Sequence, residues 1–314
     1  MSKFKCQTIQ PCICFYLSLG FWISFDIGYW ILDILMALLG YYSAIMIDAL
    51  IRPYFLLLPH DIASVTAAMV WGQKTELTQQ VYDMFRVNGL VHLLVLSGQN
   101  ITLLLGFFAG LEKRLGYKVK ALLTIGIGAF YIFLFKDPPI MRAVFMACIS
   151  SFALLFNAPV SGLWVFAITV ISLLIAYPQW LSSISFLLSA GATLGILLFY
   201  IPIRLWLLSI ISMRQSIVLY CIDAAALSLS AHIFTVPLLL AFFRELSLLS
   251  VPMNIAVGWL IEPIMVLGVL TSGLYYIFAP FAMFCAYLLF GLMSILLWII
   301  QISTVIAELC LIRI

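Results

Sequence analysis

The chain has 314 residues, 66% of them hydrophobic and 9% charged, with a formal net charge of +3. Soluble domains carry about a quarter charged residues, so a water-soluble globular protein is excluded. With only 3 histidines, His60, His92 and His232, set far apart, a locally assembled hydrolytic metal centre is excluded too, and neither metal nor cofactor is expected.

In chain order, residues 1–10 carry Lys3 and Lys5 and precede an apolar run over 12–24. No small-residue cleavage site follows before the next apolar run, 27–51, so residues 1–58 read as uncleaved N-terminal membrane anchor helices. Cys12 and Cys14 form a CxC pair whose plain reading is membrane-helix composition, with metal or lipid attachment as the alternative. The stretch 59–88 is more polar, holding His60, Asp61, Gln73, Lys74, Glu76, Gln79, Gln80, Asp83 and Arg86. It predicts amphipathic helices at the interface or facing a wet cavity. Gly72-Gln73-Lys74-Thr75 is not a phosphate loop, because Gln stands where Lys must follow Gly directly.

Apolar spans then fill 89–110, 121–135, 140–156, 160–176, 181–201, 217–243, 251–278 and 281–306, with Pro or Gly at nearly every junction. The chain is therefore predicted to be all-α, a polytopic helical bundle of about 9–11 transmembrane helices with interfacial or re-entrant segments. Residues 59–306 make one channel domain and 307–314 a short tail. Lys and Arg near span ends stay on the cytoplasmic side. The cluster Lys113, Arg114, Lys118 and Lys120 thus goes inside, the loops at 136–139 and 177–179 outside, the segment 204–214 inside, and Arg244-Glu245 outside.

Polar groups inside spans are the candidates for function, because a charge at mid-bilayer costs about 2.5–3.5 kcal/mol on insertion scales. Ser97-Gly98-Gln99-Asn100, with His92 before them, write a discontinuous helix lining a cavity; helix-to-helix hydrogen bonding is the alternative. Arg142 follows the turn at Pro138-Pro139 and offers a planar fork to a phosphate, or snorkels to the surface. Glu262, before Pro263, lies mid-span and must be protonated, paired or hydrated. His232 reads as a packing residue.

Four ordered segments carry a family resemblance: Gly89-Leu90-Val91-His92-Leu93-Leu94-Val95-Leu96-Ser97-Gly98-Gln99-Asn100; Met141-Arg142-Ala143-Val144-Phe145-Met146; Ser185-Phe186-Leu187-Leu188-Ser189-Ala190; and Pro237, Leu246-Ser247, Pro252, Asn254 and Glu262-Pro263 within 230–263. Together they resemble the membrane core of the ComEC-type competence family, the inner-membrane channel of natural DNA transformation. Ser185, Leu187, His232 and Arg244 depart from that family's pattern, which has Gly, Gln, Gln and Gly there. Larger members add a soluble β-barrel and a metallo-β-lactamase-like domain. Neither is expected in these residues, since no polar segment is long enough for the barrel and the ligand set of the second domain is missing.

The resemblance implies a non-enzymatic channel in the cytoplasmic membrane passing single-stranded DNA, its path drawn from His92, Ser97, Gly98, Gln99, Asn100, Arg142, Arg86, Lys74, Asn254 and Glu262. It also implies a DNA receptor outside, a helicase-like ATPase inside and a separate nuclease, with membrane lipid around the protein and homo-oligomerisation left open. The competing readings are a secondary small-solute transporter with Glu262 as its coupling group, and a degenerate structural subunit of a DNA-uptake complex.

Overall fold

A backbone in hydrocarbon has no water to satisfy its N–H and C=O groups, so apolar runs bounded by Pro, Gly and polar residues must close their hydrogen bonds as helices. The computed structural model describes residues 27–94, 112–156, 158, 161–211, 215–307 and 311–313, and these are overwhelmingly helical. The helices are α1 (Ile27–Leu57), α2 (His60–Trp71), α3 (Gln79–Val87), α4 (Glu112–Leu134), α5 (Pro138–Leu155), α6 (Gly162–Ala176), α7 (Ile184–Ile210), α8 (Ser216–Phe243), α9 (Ser250–Tyr275) and α10 (Ala279–Ala307), with short 3-10 turns at Val91–Leu93 and Pro178–Ser182. Among the described residues, α5, α7, α8, α9 and α10 are long and apolar enough to cross a membrane, while Ala121–Leu134 and α6 are apolar but shorter. The protein is thus an all-α, multi-pass membrane protein. Met1–Tyr42 and Ser43–Ile314 form two separate compact units, with α1 running through the boundary.

The core of the second unit is built around α2. The sequence predicts that 59–88 lies at the interface or faces a wet cavity, but every residue of Ile62–Trp71 is buried. The reason is the distribution of polarity. His60, Asp61, Gln73, Lys74 and Glu76 flank the helix, and its interior is small and apolar apart from Ser64 and Thr66. Those two hydroxyls donate to the carbonyls of Asp61 at 2.9 Å and Ile62 at 2.7 Å, so they can be enclosed. At about 18 Å, α2 is too short to cross the hydrocarbon layer. Gly72, at φ +67°, ends it, its N–H turned back to the carbonyls of Ala67 and Ala68.

Two polar knots fasten this core. The Tyr54 hydroxyl donates to the Gly268 carbonyl at 2.8 Å, and the Trp71 indole N–H lies 3.0 Å from the Tyr54 oxygen and 3.1 Å from that of Ser272. A Cβ on Gly268 would stand 2.6 Å from Val70, so glycine lets α2 lie directly on α9. In the second knot Asn88, fully buried, donates to Met84 O at 2.8 Å and Thr304 Oγ1 at 3.1 Å and accepts from Ser303 at 2.7 Å. It thereby joins the end of α3 to α10.

The helices α7 and α8 approach to backbone contact, since a Cβ on Gly195 would lie 2.2 Å from the Ser230 carbonyl oxygen. Arg204 of α7 pairs with Asp223 of α8, which also accepts from the Tyr200 hydroxyl. After α8 ends, Arg244 adopts φ +54° and the chain doubles back. Ser250, the first residue of α9, contacts His232, about three turns or ~16 Å before the end of α8. Residues 244–249 are therefore re-entrant, and α9 starts beside the middle of α8. Within them β1 (Glu245–Ser247) pairs antiparallel with β2 (Leu311–Arg313), Glu245 opposite Arg313 and Ser247 opposite Leu311.

Gly89 sits at φ +72°, where an added Cβ would stand 2.6 Å from Ser250 Cβ. Gly89→Ala is therefore expected to destabilise the protein by roughly 2 kcal/mol or more, whereas Gly291→Ala, at a helical site with nothing within 4 Å, is expected to be neutral or slightly stabilising. Denaturant unfolding of both variants in detergent checks the contrast.

Candidate functional site

Three segments meet where α9 begins. The first is the turn after Gly89, whose backbone must lie against Ser247 and Ser250 because any side chain there would collide with them. It places His92 in the 3-10 turn Val91–Leu93. The second is the middle of α8, presenting Ser228 and His232 one turn apart. The third is the first turn of α9, presenting Ser250 and Asn254 at the same spacing, which stacks both side chains on one face.

The hydrogen bonds fix the orientation of the cluster. His232 Nδ1 lies 2.6 Å from the Ser228 carbonyl, which can only accept, so Nδ1 carries the proton. In the neutral ring Nε2 is then an acceptor, and it takes the Ser250 hydroxyl at 2.9 Å. Asn254 donates from Nδ2 to Ser228 Oγ at 3.0 Å. His92 stands within interaction range of Asn254, His232 and the Gly89 backbone. Ser228 and Ser250 are buried, Asn254 and His232 are half-buried, and His92 is exposed. The cluster contains no carboxylate, so it offers neutral donors and acceptors together with the positive end of the α9 dipole.

The remaining candidates are distributed around this cluster. Ser97, Gly98, Gln99 and Asn100 lie outside the described residues. Glu262 is two turns further along α9 than Asn254, on an exposed part of the helix. Lys74 is exposed in the connection between α2 and α3. Arg142 is buried in the first turn of α5. Arg86 is committed to another partner: its Nε donates to Glu245 at 2.9 Å, its Nη2 donates to both carboxylate oxygens, and Asp83 lies 3.7 Å away. The Glu245 hydrogen bond raises the Arg86 pKa above its ordinary value. That fork ties α3 to β1 and cancels most of the charge Arg86 could direct at an anion.

Sequence reasoning singled out His92 and Asn254 but not Ser228 and Ser250, and it read His232 as packing. The available signal was the repeated four-residue spacing of hydroxyl and polar side chain on two consecutive spans. Among the described residues no group of three or more His, Cys, Asp or Glu could hold a metal ion. A groove along α4, lined by Val119, Leu122, Leu123, Gly126, Ile127 and Phe130, is apolar and belongs to a different part of the surface.

Because the Arg86–Glu245 pair is partly exposed, its net contribution is expected to be only about 1 kcal/mol and to shrink in high salt. Arg86→Glu and Glu245→Arg should each lower thermal stability, and the double swap should recover most of the loss at low ionic strength. Equal, additive losses would show that the two groups do not act as a pair.

The chain is similar to ComE operon protein 3 of Bacillus subtilis (strain 168), with 26% identity over 201 residues, which is 63% of this chain and 24% of that protein. It therefore spans about a quarter of the length of that curated relative. No solved structure matches it. The model of one family, described as Competence protein, matches residues 69–311 and so includes the Gly89 turn, the middle of α8 and the start of α9. On that match, the chain belongs to the Competence protein family.

Proposed function

We propose that this protein forms a route for single-stranded DNA through the cytoplasmic membrane during natural transformation, without catalysing a reaction itself. The observation that carries the reading is the polar cluster of His92, Ser228, His232, Ser250 and Asn254, set at the middle of a helix long enough to cross the membrane and with His92 exposed. Hydrophilic groups at that depth are tolerated where they line a water-filled space. Non-helical backbone is tolerated there on the same terms, and both the Gly89 turn and residues 244–249 supply it.

The chemistry suits transit. A conduit must attract the strand enough to admit it and bind it weakly enough to release it. Neutral imidazole, amide and hydroxyl groups give short-lived contacts to phosphate and sugar oxygens, and the start of α9 adds a fixed partial positive charge. Ser97, Gly98, Gln99 and Asn100, which lie outside the described residues, are assigned to the same route by the polar run that they form in the sequence. Since no nucleotide-binding loop is present in the sequence, movement requires an ATPase on the cytoplasmic side, with a receptor delivering DNA outside and a separate nuclease producing the single strand.

The test is uptake of labelled DNA by cells carrying single replacements. Asn254→Leu, Ser97→Leu and Asn100→Leu are each expected to reduce uptake at least about ten-fold, the loss of one to two hydrogen-bonded contacts, while the protein still inserts at the normal level. Normal uptake in all three would refute the polar route. Normal uptake on deleting the whole gene would leave only a bystander or structural role.

A further inference from the structure

One side of α4 is left uncovered by the described part of the bundle. Val119, Leu122, Leu123, Gly126, Ile127 and Phe130 recur three and four residues apart, so they share one stripe of the helix, and they line an open groove of about 420 Å³. Gly126 keeps the groove clear, since a Cβ added there would meet nothing within 4 Å. Gly128 is two residues on and therefore about 200° around the helix, and a Cβ there would stand 2.7 Å from Val144 of α5. The helix thus packs on α5 with one side and presents the groove on another, where Leu122 is 63% exposed.

Charge indicates what fills it. The apolar part of α4, Ala121–Leu134, is about 21 Å long, short of the ~30 Å hydrocarbon layer, so the residues just before it stand at the level of the headgroups. Lys118 is there, exposed, and one turn before Leu122 on the same side of the helix. The sequence adds Lys113, Arg114 and Lys120 around it, against one carboxylate, Glu112. At the other end of α4, Lys136 and Asp137 balance each other. The groove is therefore apolar along its length and basic at one end, and the positive-inside rule puts that end on the cytoplasmic side. Hydrocarbon joined to an anionic headgroup has the complementary pattern.

We propose that the groove on α4 is a binding site for an anionic phospholipid, an acyl chain lying along Val119–Phe130 and the headgroup phosphate meeting Lys118. The site does not depend on the DNA-passage reading, because none of its residues belongs to the cluster around Ser250. A zwitterionic lipid brings the same chains but a headgroup without net charge. A second copy of this chain, paired about a two-fold axis along the membrane normal, would set basic end against basic end and be repelled. A phospholipid supplies the missing negative charge.

The experiment takes the full chain, purified in detergent, and titrates it with phosphatidylglycerol or phosphatidylcholine while native mass spectrometry counts the bound lipids. Phosphatidylglycerol is expected to bind at least about ten-fold more tightly. Lys118→Gln should weaken its binding about five-fold and leave phosphatidylcholine unchanged. Gly126→Leu puts a side chain into open space, and should weaken both lipids while the thermal stability of the lipid-free protein stays the same. Lys118→Gln alters only an exposed side chain, so its result stands even if Gly126→Leu proves unstable. Equal affinity of the unmodified protein for the two lipids would overturn the site, as would phosphatidylglycerol binding that Lys118→Gln leaves intact. A dimer in detergent that Gly126→Leu dissolves would overturn it too, by giving the groove to a second copy of the chain.

Discussion

Every polar group placed within a lipid bilayer must find its partner inside the protein or in water that the protein admits, and this constraint organises the fold. Where partners are complete, the polar residues act as joints. Tyr54, Trp71, Gly268 and Ser272 close on one another, and Asn88 uses both ends of its amide on neighbouring groups of α3 and α10. Where they are incomplete, the polar group stands out: among the described residues the Arg142 Nε is buried without a hydrogen-bond partner, and His92 is exposed.

The backbone follows the same logic. The chain does not run simply from one helix to the next across the membrane. It folds back after α8, so that α9 starts beside the middle of its predecessor, and the turn at Gly89 is pressed against that starting point. The two departures from regular helix meet at one place, and the polar side chains gather there too. The Arg86–Glu245 fork and the β1–β2 ladder brace the same region, tying α3 and the tail to the re-entrant segment.

Much of the architecture was legible in the sequence. Apolar runs ended by Pro or Gly correspond to helices because length and hydropathy alone decide whether a segment can span, whereas the doubling back of the chain at 244–249 was not anticipated, Arg244-Glu245 having been read as a simple outside loop. The enclosure of α2 was not, because the polar residues around it mask a ten-residue interior that is apolar and small. The three-residue strands were not, because each is too short to carry a pattern and the partner lies far along the chain. At the site, Asn254 came from family resemblance, and His92 from its place before the polar run as well. The partners Ser228 and Ser250 escaped notice because serine in a membrane helix ordinarily bonds to its own backbone, and only the packing of α8 on α9 reveals the shared cluster. Arg86 was read as a group lining the path, since nothing local announces a carboxylate 159 residues away.

The central claim is that the space beside His92 holds water. Single cysteines introduced along residues 89–110 and at Ser228 and Asn254, in a background without native cysteines, can be challenged with a charged, membrane-impermeant thiol reagent. The account predicts fast modification at His92, Ser97, Asn100 and Asn254. Uniform protection at all four positions, with control cysteines in surface loops reacting normally, would contradict it.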